Sequence, residues 1–169
     1  SFTVNGQTYT VEGLTAHAEG TNVSDSKAVT VTGTPVVKDT AGNDVTAQFT
    51  VTTKNGTLTI NPVAIELTAA SDSKPYDGTA LTNNGYTITS GKFVGEEGLA
   101  SVTVEGSQTL VGSSNNAITG YALKDNTAAS DYTITTRLGT LTVTDRDDGE
   151  KYAITVKANS GSKTYDGTK

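Results

Sequence analysis

A sixteen-residue segment occurs twice in the chain, and this repeat constrains the fold more than any other feature. Residues 64–79 read AIELTAASDSKPYDGT, and residues 153–168 read AITVKANSGSKTYDGT, 89 positions later and without a gap. Each copy begins with alternating apolar residues, which is typical of a strand, and ends in Tyr-Asp-Gly-Thr. Repetition at a fixed spacing is the signature of a tandem array. The sequence therefore predicts a row of similar modules rather than one large domain.

Three further segments recur in the same order, which favours true repetition over biased composition. They are TVEG at 10–13 and 103–106, VKD at 37–39 with LKD at 123–125, and GTLT at 56–59 and 139–142. Pro62 ends the last strand of the first copy, because proline has no amide hydrogen to give to a ladder. We therefore predict a first module at 1–61 that lacks its first strand and a complete second module at 62–144. Residues 145–169 hold a linker and the first strand of a next repeat.

The composition predicts an all-β fold with thin cores. Hydrophobic residues make up 34% of the chain and aromatic residues 6%, with no Trp or Met, and the abundant Thr suits half-buried pleated surfaces. Short strands separated by turn signals favour two tandem antiparallel β-sandwiches of the immunoglobulin-like kind, with about six strands in the complete module. The alternative is a β-grasp fold, which needs a helix packed on the sheet. Only residues 91–100 could supply one, and their three glycines argue against more than a turn.

Turn residues predict three hairpins. Asn5-Gly6 between alternating runs predicts a type I′ hairpin. Asn55-Gly56 predicts a second hairpin over 48–60, whose inward residues are Phe49, Val51, Leu58 and Ile60. The third joins 131–136 to 140–144. Residues 14–26 are small and polar, and are predicted to be an irregular loop.

The charge and the missing residue types exclude several classes of function. A net charge of −6 and a pI near 4.6 oppose binding to a phosphate backbone, so nucleic acid is not an expected partner. The absence of Cys removes disulfides and thiolate chemistry. No apolar run is long enough to cross a bilayer, so no direct membrane contact is expected, and the export signal and anchor of the parent protein are expected outside these residues.

Residues that could carry chemistry are few, and we predict no catalytic, cofactor-binding or metal site. His17 is the single histidine and is interpreted as a solvated loop residue. Glu96 and Glu97 are adjacent in a Gly-bounded turn and are interpreted as solvated charges rather than glycosidase carboxylates. Residues 145–150, DRDDGE, are the best calcium candidate, but their spacing does not match an EF-hand, and a plain charged linker is favoured.

The Tyr-Asp-Gly-Thr motif is interpreted as a structural staple rather than a ligand contact. Asp-Gly supports a turn, and the Tyr76 ring can cover a thin core with its hydroxyl group at the surface. A Lys–Asn or Lys–Asp cross-link would need both partners and a buried acid on neighbouring strands. No such set is evident in the sequence.

These segments resemble the Tyr-Asp-Gly (YDG/MBG-type) tandem repeats of bacterial, mainly Gram-positive, cell-surface adhesin-like proteins. The resemblance rests on SKPYDGTALT, SKTYDGT, VTVEGSQTLVGSSNNAI and LGTLTVT, and it covers most of the chain. It implies an extracellular, non-catalytic module of a cell-wall-anchored protein. A stalk or spacer is the favoured function, with an adhesive module that binds host glycan or protein as the alternative. Two or three Tyr residues side by side on one solvent face would favour the alternative.

The expected partners are neighbouring repeats of the same protein. We name residues 152–169 the tail, and we predict that it is ordered as a strand. Its partner is either the first module of another chain, which gives head-to-tail self-association, or the end of the second module. The short junction at Asn61-Pro62 is predicted to be stiff, and the charged junction at 144–151 to bend.

Overall fold

All 169 residues are described by a computed structural model, and the chain is all-β. Twelve strands and four 3₁₀ turns are present, and no helix is long and apolar enough to cross a membrane. The strands are β1 (Phe2–Val4), β2 (Gln7–Ala16), β3 (Lys27–Val29), β4 (Val31–Lys38), β5 (Gly56–Leu58), β6 (Val63–Ala69), β7 (Asp72–Pro75), β8 (Tyr86–Ser90), β9 (Leu99–Glu105), β10 (Gly112–Leu123), β11 (Tyr132–Arg137) and β12 (Gly139–Thr144). The 3₁₀ turns are Val23–Asp25, Thr46–Gln48, Ala129–Asp131 and Asp148–Glu150.

The first module contains two small sheets, β1-β2-β4 and β3-β5. Asn5 and Gly6 have φ values of 50° and 78°, so the predicted hairpin is confirmed, because a type I′ turn needs positive φ at both central residues. Strand β2 continues to Ala16, and the predicted loop therefore begins three residues later than expected.

The predicted hairpin at 48–60 is wrong. Residues 49–55 form no strand, and β5 pairs instead with β3, with Leu58 opposite Lys27. The alternating pattern of Phe49 and Val51 is real, because both are half-buried while Thr50 and Thr52 are exposed. An alternating pattern indicates which residues share a face, but it does not identify the partner strand.

The second module has seven strands in two sheets, ordered β11-β6-β8 and β7-β12-β10-β9. Strand β6 continues through two residues into β7 in the other sheet, and β11 continues through Leu138 into β12 in the same way. Both pairs, β6 with β11 and β7 with β12, are parallel. The predicted hairpin of 131–136 with 140–144 is therefore wrong, because β11 and β12 lie in different sheets and each pairs with a strand of the repeated segment.

The core lies almost entirely in the second module. Of the fourteen buried residues, thirteen lie between positions 63 and 144, and Val37 is the single one in the first module. One cluster comprises Ile65, Leu67, Phe93 and Tyr132, and Ile118 and Leu123 of β10 pack against it. This cluster therefore packs the β11-β6-β8 sheet against the C-terminal half of β10.

Residues 91–100 contain no helix, and Leu99 and Ala100 already belong to β9. The chain makes one turn, closed by a hydrogen bond of 3.0 Å from Glu97 N to Val94 O, and it buries Phe93. The chain has no α-helix, so the packed helix that a β-grasp fold requires is not present.

The tail forms no strand. Ile154, Val156 and Tyr165 are 86%, 91% and 93% exposed. The prediction that the tail pairs with the end of the second module is therefore wrong for the single chain.

Candidate functional site

The Tyr-Asp-Gly-Thr turn is a compact network of local hydrogen bonds. The Asp77 carboxylate accepts hydrogen bonds from Lys74 Nζ at 2.9 Å, from Thr79 N at 2.8 Å and from Thr79 Oγ1 at 2.8 Å. Lys74 Nζ also donates to Thr79 Oγ1 at 2.7 Å. The hydrogen bond from Lys74, followed by those from Thr79, holds the pKa of Asp77 far below its usual range.

The second copy of the motif forms the same network in the tail. Lys163 Nζ lies 3.0 Å from Asp166 Oδ1, and Thr168 N donates to the same oxygen at 2.9 Å. These bonds form although the tail belongs to no sheet. The turn is therefore specified by residues that lie within five positions of one another.

Burial of the tyrosine ring, in contrast, depends on the module. Tyr76 packs against the buried cluster of Leu81, Leu141 and Val143, as the staple interpretation predicts. Tyr165 has no such cluster and is exposed. The motif therefore places one aromatic ring next to β12 in the complete module.

Asn116 is a buried polar residue that sequence reasoning missed. Its side chain on β10 is fully buried, and Nδ2 donates to Ala70 O at 2.8 Å and to Asn83 O at 2.7 Å. It therefore ties β10 to the β6–β7 link and to the loop that precedes β8. Its Oδ1 has no partner. The available signal was its position in β10 two residues before Ile118, on the face that turns inward.

The junction between the modules is closed by direct contacts. Val23 N donates to Asp131 Oδ1 at 2.7 Å, which joins the 3₁₀ turn of the first module to that of the second. A cleft of about 160 Å³ lies beside this bond, and it is lined by both modules, including Ile60, Val63 and Tyr132. It is small and open.

Glu97 at this cleft corrects the expectation of two solvated carboxylates. Glu96 is exposed, but Glu97 is half-buried and accepts a hydrogen bond from the Tyr132 hydroxyl group. The same hydroxyl oxygen accepts a hydrogen bond from Val94 N at 3.0 Å. Burial, and then the hydrogen bond to Glu97, raises the pKa of Tyr132. The contact anchors the 91–98 segment onto the core.

The carboxylate groups of residues 145–150, the calcium candidate, do not converge on one point. Lys151 pairs with Asp148, and the Arg146 guanidinium lies 4.5 Å from the centre of the Tyr152 ring. Arg146 Nη1 also donates to Tyr76 O at 3.1 Å. No group of three or more His, Asp or Glu side chains is arranged to hold a metal ion. The segment contacts the Tyr-Asp-Gly turn through Arg146.

His17 follows directly after β2 and is exposed. Its Nε2 lies 2.9 Å from Glu19 Oε1, and both side chains face solvent. The pair is a surface contact between neighbours in sequence, and no hydroxyl group lies within hydrogen-bond distance of the ring.

Comparison with known proteins gives no match to a protein-family model, to a curated protein or to a solved structure.

Proposed function

We propose that this chain is a structural spacer of a bacterial cell-surface protein, built from tandem immunoglobulin-like β-sandwich repeats and located outside the cell on an anchored stalk. The junction supports this proposal most directly. A spacer must resist bending, and here Asp131 of one module accepts a hydrogen bond from the backbone of the other across Asn61-Pro62. The repeated segment supports it as well, since its two copies form the same turn at Asp77 and at Asp166.

The proposal is tested by measuring how rigidly the two modules are held relative to each other. Asp131→Ala removes the acceptor of the Val23 bond, and we expect a broader distribution of interatomic distances in small-angle X-ray scattering. Asp125→Ala is the matched control, because Asp125 is an exposed acid in the same module with no hydrogen bond. If Asp131→Ala and the wild type scatter identically, the junction is not held by this contact, and the spacer proposal loses its main support.

The alternative function, adhesion to host glycan or protein, is favoured by one observation. Phe2, Tyr9 and Phe49 form an aromatic cluster with ring centroids 4.9 to 5.7 Å apart, and none of the three is buried. Sugar rings stack on such surfaces. No two Tyr rings pack together. A glycan-array signal that Tyr9→Ala abolishes and Tyr121→Ala leaves unchanged would favour adhesion over the spacer.

A further inference from the structure

Strand β8 is an edge of the β11-β6-β8 sheet, and it pairs with β6 alone. All five of its residues are exposed. The other edge strands of the second module each contain a charged residue, which is Lys74 in β7, Glu105 in β9 and Arg137 in β11. Strand β8, with the sequence YTITS, contains neither a charged residue nor a proline. Because charges and prolines keep an edge strand from pairing with another chain, β8 is the edge of this module that is open to a further strand.

The pairing with β6 determines which backbone groups of β8 face outwards. Gly85 O accepts a hydrogen bond from Ala70 N at 2.9 Å, so the C=O group of Gly85 faces β6. Successive residues of an antiparallel strand direct their backbone groups to opposite sides. Thr87 therefore faces β6, whereas the N–H and C=O groups of Tyr86 and Ile88 face outwards, where no strand meets them. The shift in register comes after Ile88, so it leaves this alternation intact.

The side chains of Tyr86 and Ile88 are the apolar part of this edge. They stand opposite Ala69 and Leu67, which are 2% and 0% exposed, so they lie on the core side of the sheet. Tyr86 and Ile88 are nevertheless 38% and 44% exposed, because β8 is the last strand of its sheet. A further strand beside β8 therefore removes apolar surface from water as well as pairing the free backbone groups.

We propose that β8 pairs antiparallel with β8 of a second copy of the chain, with Thr87 opposite Thr87 on a two-fold axis. Tyr86 of each copy then lies opposite Ile88 of the other, and each of these pairs exchanges both of its backbone hydrogen bonds, so every outward group of the two residues is used. An aromatic side chain opposite a β-branched one is a favourable cross-strand pair. Because β6 runs from the junction to the far end of the module and β8 lies alongside it, the paired modules point in opposite directions.

The charges around β8 fit a second copy of the chain. The net charge of −6 opposes self-association, but residues 83–91 contain no charged side chain. The proposed register carries Lys92 of one copy to the level of Asn83 in the other. Asn83 Nδ2 there donates to Asp72 Oδ2 at 3.1 Å, and neither Lys92 nor Asp72 forms a salt bridge within its own chain. The two-fold axis therefore brings a cation towards an anion at both ends of the strand pair.

Disulfide trapping tests the register, because the chain contains no cysteine of its own. Thr87→Cys places one thiol group on the two-fold axis, opposite its copy in a non-hydrogen-bonded pair with Cα atoms about 4.5 Å apart, which a disulfide can span. Thr89→Cys is the matched control, since Thr89 is also an exposed threonine of β8 but stands opposite Gly85 of the second copy. In oxidised glutathione we expect Thr87→Cys to form a covalent dimer at least tenfold faster than Thr89→Cys.

Sedimentation equilibrium of the whole chain measures the association without a cross-link. A single strand pair buries little surface, so we expect a weak dimer with a dissociation constant below about 1 mM. Ile88→Lys brings two cations to one face of the strand pair, and it is expected to weaken association at least tenfold. Leu110→Lys adds the same charge at an apolar residue that is 69% exposed and lies outside β8, and it is expected to associate within twofold of the wild type. Equal melting of the two variants at low concentration verifies that both are folded.

Hydrogen exchange resolved by residue then identifies the edge that pairs. The amides of Tyr86 and Ile88 are expected to gain protection as the concentration rises, whereas the amide of Thr87, which already faces β6, is expected to stay unchanged. Equal rates of cross-linking for Thr87→Cys and Thr89→Cys overturn the proposal. A wild type that is monomeric up to about 1 mM, or new protection at β7, β9 or β11 instead of β8, overturns it as well.

Discussion

At the scale of single residues, the hydrogen bonds that Asp77 accepts make the stability of the second module depend on pH. Its pKa is lower in the folded chain than the ordinary value of about 3.9 for Asp. The stabilisation is therefore complete above that ordinary value and is lost as the pH falls through the folded value. We expect Asp77→Asn to lower the thermal midpoint at pH 7, and the difference from the wild type to shrink as the pH falls below 4.

The tail provides a control for this prediction. Asp166 makes the same hydrogen bonds to Lys163 and Thr168, but it supports no sheet. At concentrations where the chain is monomeric, Asp166→Asn is expected to leave the thermal midpoint unchanged at every pH. Equal effects of the two substitutions would show that the turn in the second module contributes nothing beyond its local bonds.

Asn116 gives the second prediction at this scale. Asn116→Ala removes two hydrogen bonds and leaves Ala70 O and Asn83 O without their partner, so the free energy of unfolding should fall by about 2 kcal/mol. Asn115→Ala, at the exposed neighbouring position of β10, should change it by less than about 0.5 kcal/mol. Urea denaturation of both variants measures the difference, and equal values would contradict the role of Asn116 as a tie between the sheets.

At the scale of elements, the end of β8 needs a residue without a side chain. Gly91 has a φ of 78°, and a Cβ atom there would lie 2.0 Å from Ala64 O of β6. Gly95 also has a positive φ, 56°, but a Cβ atom there would meet nothing within 4 Å. The two glycines therefore differ in the space around them and not in the sign of φ.

We expect Gly91→Ala to destabilise the second module by about 3 kcal/mol, because backbone strain and a clash add together. Gly95→Ala should cost about 1 kcal/mol from backbone strain alone. Urea unfolding followed by circular dichroism gives both values. Similar losses for the two variants would mean that β8 can move away from β6 without cost.

At the scale of the whole molecule, the uneven core predicts two unfolding steps. Thirteen of the fourteen buried residues lie in the second module, and burial of apolar surface is the main source of stability. In the monomer, amides of the first module should exchange faster and unfold at lower urea than those of the second. Leu67→Ala should weaken the second transition alone, by about 3 kcal/mol. One cooperative transition for both modules would contradict this prediction.

The sequence by itself determined the features that depend on neighbours along the chain. It predicted the all-β composition, the Asn5-Gly6 hairpin and most strands of the second module. It also predicted the turn at Asp77, and the same turn forms at Asp166 in a segment without a sheet. Bonds that span five residues or fewer can be read from the sequence, because the partners are always close enough to meet.

Only the tertiary structure decided which strands pair. FTVTT at 49–53 and YTITT at 132–136 have nearly the same sequence and follow matching turns, yet only the second forms a strand, because β6 lies beside it. Asn116 and Glu97 were missed for the same reason, since their partners lie 33 or more positions away. A strand is completed by hydrogen bonds to a distant segment, so its own residues specify which face turns inward but not whether a partner is present.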